Sequence, residues 1–528
     1  MEQLSAQDAQ FLYMEDADIV ANITGAYICD QSTAPGGIVR FRDIVSSIEE
    51  RLKYCPFFKR KLMRVPMEMD YPYWVDDPHF DIEYHVHHAR LPQPADWRQF
   101  CIHFARYHSR PLDLGRPLWE MYIVEGLDNV DGIPKGSFAV IGKVHHAVLD
   151  GTAAIQMLGA LMDISPEGPP IFQYPPTEGP GPAEPLPALL ARASLNNARS
   201  PMRFADAVRR SSPQIARAVA GFGASRLRRE KSAGVPHTIF NDKVSPHKSF
   251  DAVEFDLADF KMIRTAYPEA KVNDVVLATV GGGLRKYLKS KDELPKQPLI
   301  AMAPINARTD DKSNKDAGNN ISAMTVPLFT TIGHPVERLK AVTLATRKTK
   351  AAKDGVGARL LTDLSQQVPA AMMALGSRFA AQALSNGMTM NNLIVSNVPG
   401  PQVPLYFCGA KMEKMYGMAP LGPGMGLFIT TPSYNGKISF GVTCTREIMP
   451  DTPEFIACLK KAFAELKTAA EKRLDAGPTV APEKPAAIED EGKKAKKKKK
   501  KDKKKNKKKN KKNRKIGPNG VVDGVGSA

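Results

Sequence analysis

The chain has 528 residues, 43% hydrophobic and 25% charged, which is the balance of a globular protein long enough for two or three cores. Its formal net charge of +18 is not spread over that body: 17 lysines and Arg514 against Asp502 put +17 between Lys493 and Lys515, leaving +1 for the rest. The six cysteines are scattered without C-x-x-C spacing, which argues against a disulfide framework or a zinc site. The acidic N-terminal stretch has no apolar core of the secretory kind, and no run approaches ~20 uncharged apolar residues. These features predict a cytoplasmic protein that meets membranes peripherally.

In chain order, residues 1–165 are predicted to form a first domain mixing strands and helices. Phe80–His87 alternates as a strand, and Trp97–Tyr107 has helical spacing. Ser137–Val144 is an apolar strand-like run, and Thr152–Met162 reads as a helix. The stretch Pro166–Pro187 is too rich in proline for a helix interior or a central strand, so it opens a linker that extends to residue 235. Within that linker, residues 192–231 intersperse arginines with apolar residues. That pattern suits an amphipathic membrane-surface helix and equally a solvated connecting helix.

Residues 236–475 are predicted to form the second mixed domain. Asn273 and Asp274 offer N-caps to a helix beginning VVLATV, and Leu299–Ile305, Ile321–Leu328 and Asn392–Ser396 read as strands. Asn435-Gly436 between two apolar runs signals a type I′ hairpin, and Pro432 predicts that its first strand is an edge or carries a bulge. Asp451-Thr452-Pro453 starts a closing helix with Phe455, Ile456, Leu459, Phe463 and Leu466 on one face. From residue 476 to 528 the chain turns Pro/Ala-rich and then lysine-rich, a composition that cannot bury a core and predicts a disordered tail.

The chemistry concentrates at His145-His146-Ala-Val-Leu-Asp150-Gly151, where the apolar strand gives way to a helix. In an extended strand Phe138, Val140, Gly142, Val144 and His146 share one face, while Lys143 and His145 take the other. Only one imidazole then faces a given cavity. His146 is the candidate general base, since imidazole titrates nearest neutrality, and His145 packs or orients the turn. Asp150 caps the next helix or pairs with an arginine, and Gly151 permits a tight approach. The same pattern also suits a satisfied pair of core histidines. Two adjacent histidines and one carboxylate lack the rest of a metal's ligand set. His85, His87 and His88 raise a second metal possibility, but they read better as exposed strand histidines.

The motif HH-x-x-x-D-G resembles that of the acyl-CoA-dependent acyltransferases with a chloramphenicol-acetyltransferase-like fold, a group that includes peptide-synthetase condensation domains. More of the chain is similar to one branch, the bacterial wax ester synthase/diacylglycerol acyltransferase family. The likeness runs to about residue 470 through Leu4-Ser5-x-x-Asp8-x-x-Phe11-Leu12, Arg116-Pro117-Leu118-Trp119, His145–Gly151 and Ser245-Pro246-His247. It continues through Val272–Leu277, Gly318-Asn319 and Ser396–Pro401. The lysine tail departs from the family core.

The resemblance implies a mixed α/β (α+β) chain of two chloramphenicol-acetyltransferase-like domains with a tunnel between them. It also implies acyl-CoA as co-substrate, with no further cofactor and no metal, and a diacylglycerol or fatty alcohol as acceptor. His146 would deprotonate the hydroxyl, which attacks the thioester directly. A thiolate leaves readily, and no G-x-S-x-G nucleophile elbow is present. Pro117, Leu118 and Trp119 would line the acyl channel or simply pack the core. Asn273 and Asp274 would shape the tunnel or only cap a helix. Ser396 and Asn397 would present a donor to the oxyanion or form a strand-ending turn.

A tail of 18 cations suits a polyanionic surface, and for a lipid enzyme the economical one is an anionic membrane or lipid inclusion, at about 1 kcal/mol per lysine near the surface. Lacking interleaved aromatics, it does not predict sequence-specific nucleic-acid binding. Two other readings stand beside this one: a condensation-type or small-molecule acyltransferase of the same fold, and a non-enzymatic coat protein of lipid inclusions.

Overall fold

The computed structural model describes residues 1–55, 58–148, 159–168, 179–202, 206, 209, 234–306, 321–353 and 368–476. Asp150, Gly151, Gly318, Asn319, the lysine tail, and most of the Pro-rich and basic segments lie outside the described residues. Residues 1–472 form one compact unit, and residues 473–528 are a second.

Numbered along the chain, the strands fall into three sheets. A small sheet orders β1 (Glu2–Gln3), β4 (Tyr73–Asp76) and β3 (Arg60–Met63). The first large sheet runs β12 (Tyr406–Phe407), β13 (Ala410–Met418), β2 (Asn22–Asp30), β7 (Phe138–His145), β6 (Trp119–Glu125), β5 (Val86–Arg90). The second runs β10 (Ile321–Pro327), β9 (Ile300–Asn306), β11 (Leu393–Pro399), β14 (Leu427–Tyr434), β15 (Lys437–Thr445), β8 (Lys248–Asp256). Both large sheets are mixed: β5 lies parallel to β6, and β11 lies parallel to β9 and β14, among otherwise antiparallel neighbours.

The helices are α1 (Ala6–Met14), α2 (Phe41–Arg51), α3 (Trp97–Ser109), α4 (residues 186–202), α5 (Leu257–Ala266), α6 (Val272–Ser290), α7 (Pro335–Lys353), α8 (Ala370–Ser385) and α9 (Thr452–Asp475). Leu189 and Ala193 of α4 are buried with Val65 and Tyr73 against the small sheet.

Every residue of β7 is buried, which explains its unbroken apolar run: a strand covered on both faces has no polar face to display. One face, with Val140 and Val144, packs with Trp119, Met121 and residues of α2. The other, with Ala139 and Ile141, packs on Phe100 and Phe104 of α3 and on Phe250 of β8. The second sheet buries its core under α5, α6 and α9, where Phe455, Ile456, Leu459, Phe463 and Leu466 form the expected face.

The two halves of the chain interlock. Strand β13 comes from the second half yet pairs with β2 in the first large sheet. It also crosses the second sheet closely: a Cβ on Gly441 would stand 2.7 Å from the Gly417 carbonyl oxygen. Trp97 on α3 donates its indole N–H to Asp251 on β8 at 2.9 Å, joining the halves again.

Four local expectations are corrected. The strand expected over Phe80–His87 begins only at Val86, after a 3₁₀ turn at Ile82–Tyr84, because His85 turns inward and stacks on Trp119 at 4.5 Å. Asn273 and Asp274 are not N-caps: the helix starts at Val272 behind Lys271, and Asp274 reaches back to accept the Lys271 N–H at 2.8 Å. Pro432 sits in an interior strand without a bulge. The register to β15 is the same on both sides of it, through Thr430↔Gly441 and Ser433↔Ile438. Ser396 and Asn397 are not a turn but continue β11, opposite Thr430 and Thr431. The hairpin is as expected, with Asn435 and Gly436 at φ 42° and 81°, the signs a type I′ turn requires.

Candidate functional site

Strand β7 delivers the two histidines to one end of the first sheet. Asn22 of β2 stands opposite His145. The His145 N–H donates to the Leu118 carbonyl at 3.0 Å, and the His146 N–H donates to the Ala21 carbonyl at 2.7 Å. Both backbone positions are therefore pinned on either flank before any side chain acts. Pro117-Leu118-Trp119 contributes to that pinning through the Leu118 carbonyl. Leu118 and Trp119 are themselves core residues, and the Trp119 indole donates to the Phe58 carbonyl at 2.9 Å.

The other wall comes from the N-terminal motif. Ser5 caps α1, accepting the Asp8 N–H at 3.1 Å and donating its hydroxyl to the Asp8 carboxylate at 2.6 Å. That cap sets the rotation of a short helix. Phe11 then lies flat on the His146 imidazole, centroids 3.8 Å apart and planes 13° from parallel. Glu15, at the C-cap of the same helix, accepts the Ala21 N–H at 2.7 Å with the oxygen that lies 3.2 Å from His145 Nε2. Glu15 had no role in the sequence reading. Its only signal there was its place three residues beyond Leu12.

The two imidazoles differ as their strand parity requires. His145 is fully buried, and its Nδ1 accepts the Ala147 N–H at 3.0 Å. The acceptor role of Nδ1 assigns the proton to Nε2, facing Glu15. His146 is half-buried, but its Nδ1 is sealed, with no hydrogen-bond partner among the described residues. Burial pushes the His146 pKa down to about 4. Its own backbone opposes the shift, and the neighbouring His145 adds to it. The ring is neutral at pH 7.

Behind His145, on the face toward α3, lies a polar cluster. The fully buried Lys143 ammonium meets the Glu120 carboxylate at 2.6 Å and donates to the Arg110 carbonyl at 3.1 Å. Thr24 meets His108 Nδ1 at 2.9 Å, and the Asn22 amide donates to the His108 and Arg110 carbonyls. Burial, and then the charges of Lys248 and Lys143, push His108 down to about 3.

The remaining predicted residues lie in the second half of the chain. Asp274 is buried at the start of α6, where it also accepts the Thr346 hydroxyl at 2.8 Å, and Asn273 precedes it. Ser396 and Asn397 are half-buried where β11 emerges from the core. No hydrogen bond among the described residues joins these four to the histidine pair.

Two mixed sheets are interlocked by a strand from the second half of the chain, and the HH motif stands at the end of a central strand of the first sheet. The sequence profile of the wax ester synthase/diacylglycerol acyltransferase catalytic domain matches residues 4–276, and that of the family's C-terminal domain matches residues 317–467. The chain belongs to this family.

A provisionally named diacylglycerol O-acyltransferase of Mycobacterium tuberculosis strain CDC 1551 is 32% identical over 453 residues, covering 85% of this chain and 87% of that protein. Another provisionally so named, from strain H37Rv, is 31% identical over 501 residues, covering 88% and 97%. Among solved structures, the wax ester synthase/diacylglycerol acyltransferase of Marinobacter aquaeolei VT8 superposes with a TM-score of 0.60 at 25% identity, covering 89% of this chain and all of that one.

Proposed function

We propose that the protein transfers a long-chain acyl group from acyl-CoA to the hydroxyl of a diacylglycerol or long-chain alcohol, with His146 as general base. The observation that carries this reading is the state of the His146 ring. It is neutral, clamped flat by Phe11, closed at Nδ1 and only half-buried, which leaves Nε2 as the nitrogen for an alcohol.

Nε2 takes the hydroxyl proton as the alkoxide oxygen bonds to the thioester carbonyl carbon. The tetrahedral oxyanion collapses, the C–S bond breaks, and the departing thiolate recovers the proton from the imidazolium. Ester and free CoA thiol result, with no acyl-enzyme and no cofactor beyond the co-substrate. Holding both substrates together contributes part of the ~7–11 kcal/mol available to well-oriented reactants. Glu15 and His145 act as positioning residues, since neither is the base.

In the same reading Pro117, Leu118 and Trp119 border the acyl channel, and Asn273 and Asp274 brace the second half of a tunnel. Ser396 or Asn397 donates to the oxyanion, while Asp150 and Gly151 shape the turn after the histidines. The tail Lys493–Lys515 and the basic segment 192–231 hold the enzyme to an anionic membrane or lipid-inclusion surface. No helix among the described residues is long and apolar enough to cross a membrane.

The test pairs one long-chain acyl-CoA with diacylglycerol and with hexadecanol, comparing the native chain, His146→Ala and a chain ending before Lys493. The reading expects ester from at least one acceptor, loss of it in the histidine variant, and turnover in detergent by the truncated chain. Undiminished ester formation by His146→Ala overturns the base assignment. Turnover with amine acceptors alone would move the chain to condensation chemistry.

A further inference from the structure

Strand β5 and helix α3 enclose a cleft of about 330 Å³ on the α3 side of the first sheet, a volume at the small end of ligand sites. Tyr107 and Tyr122 stack beneath it with ring centroids 3.9 Å apart. His87 tilts over Tyr122 at 4.9 Å, His103 lies 6.0 Å from Tyr107, and the Arg110 guanidinium is 6.0 Å from the same ring. Arg106 completes the wall. Two histidines and two arginines thus converge on one cavity, while His88, next along β5, turns to the other face and stacks on Phe41 at 4.7 Å.

The carboxylates nearby are already engaged. Glu120 takes the Lys143 ammonium and the Tyr122 hydroxyl, each at 2.6 Å. Glu125 lies 3.0 Å from His88 Nε2 and 4.0 Å from Arg90. Neither Arg106 nor Arg110 pairs with a carboxylate among the described residues. No group of His, Cys, Asp or Glu among those residues could hold a metal ion, so the histidines are not a cation site.

We propose that this cleft binds the phosphoryl group of a small organic phosphate, gripped by Arg106 and Arg110 with His87 and His103 alongside. A planar guanidinium presents paired N–H donors that match phosphate oxygens, and the two tyrosine rings offer an apolar bed for the organic part. Electrostatics agree with the geometry. Burial holds the His103 pKa down and Arg106 and Arg110 lower it further. Burial likewise lowers His87, with Glu120 opposing and Lys143 and Arg110 adding. An arriving anion offsets the arginine charges that hold these rings neutral and favours their protonation. The site lies on the sheet face opposite His146, and the proposal does not rest on the base assignment. Its phosphate comes either from the nucleotide end of a CoA thioester or from a separate phosphorylated metabolite.

The experiment is calorimetric titration of the full chain, lysine tail included, with inorganic phosphate and with adenosine 3′,5′-bisphosphate. The same titrations are run on Arg106→Gln/Arg110→Gln and on His103→Gln. The arginines are exposed and His103 half-buried, so the fold should survive, as circular dichroism would verify. Saturable binding is expected, weakened at least ~10-fold in the double variant and a few-fold in His103→Gln. Much tighter binding of the bisphosphate, together with a raised KM for acyl-CoA in the double variant, supports the site and names the donor as its source. Comparable binding of both probes with KM unchanged supports the site and names a separate metabolite. Affinity unaltered by the double substitution places the anion on the tail or elsewhere and overturns the proposal, as does the absence of saturable binding by either probe.

Discussion

His145 Nε2 and Glu15 Oε1 stand 3.2 Å apart, joining the last residue of a central strand to the C-cap of the first helix. Because that oxygen also takes the Ala21 N–H, Glu15 braces both the histidine and the chain just before β2. Glu15→Ala leaves a buried N–H without an acceptor, and we expect a loss of about 1–3 kcal/mol in unfolding free energy. Catalytic turnover should fall with it while the KM for acyl-CoA changes little, and Glu15→Gln should recover part of both. Denaturant unfolding and steady-state kinetics on the two variants check this. Unchanged stability in Glu15→Ala would contradict the bracing role.

His146→Ala removes the proposed base and the Phe11 stack but no backbone contact. Turnover should drop by about 10²–10⁴, the range general base catalysis supplies, with far-UV dichroism unaltered. Labelled acyl-CoA assays read the loss.

Acid sensitivity follows from two histidines, the fully buried His108 and the half-buried His146. His146 and His108 are held down to about 4 and about 3, mainly by burial, against about 6.5 in an unfolded chain. The unfolded chain therefore binds more protons between those values. The stabilisation from keeping both rings neutral is full above about pH 6.5, and it is lost as pH falls toward 4 and then 3. Thermal melts from pH 7.5 to 5 should show a falling Tm. In the same interval kcat/KM should lack an inflection near 6.5, since the proposed base His146 is already deprotonated. An inflection at 6.5 that vanishes with His146→Ala would contradict this.

Lys143 is the one fully buried cation of the polar cluster, and its partner Glu120 is partly exposed. Lys143→Met strands that carboxylate beside a buried tyrosine hydroxyl, at a cost of about 2–4 kcal/mol. The double variant Lys143→Met/Glu120→Gln should be more stable than the single one. Chemical denaturation of the cycle reads the coupling.

Gly441→Ala tests the crossing of the two sheets. The new Cβ would meet the Gly417 carbonyl and the Thr430 hydroxyl, both at 2.7 Å, so backbone must move. We expect a loss of about 1–3 kcal/mol, as overpacking costs elsewhere. Gly436→Ala, at a positive φ with open space around it, gives the contrasting case of pure backbone strain.

Much of the architecture was written in local periodicity. The buried run of β7, the face of α9, the Asn435-Gly436 hairpin and the opposite orientation of adjacent histidines all follow from period-2 or period-3.6 spacing and from turn residues. Such patterns are decided among near neighbours, so a sequence displays them directly. Two of the motif pieces have structural roles that the spacing did not state: Ser5 and Asp8 form a cap, and Leu118 holds the His145 backbone.

Tertiary structure alone decided which distant segments meet. No local pattern carries Glu15 to His145, Phe11 to His146, or β13 from the second half of the chain into the first sheet. Nor does spacing distinguish the buried His85, stacked on Trp119, from His87 on the cleft two residues later. Long-range contacts depend on the path of the whole chain and on which faces it covers, and burial is what then sets the protonation of each imidazole.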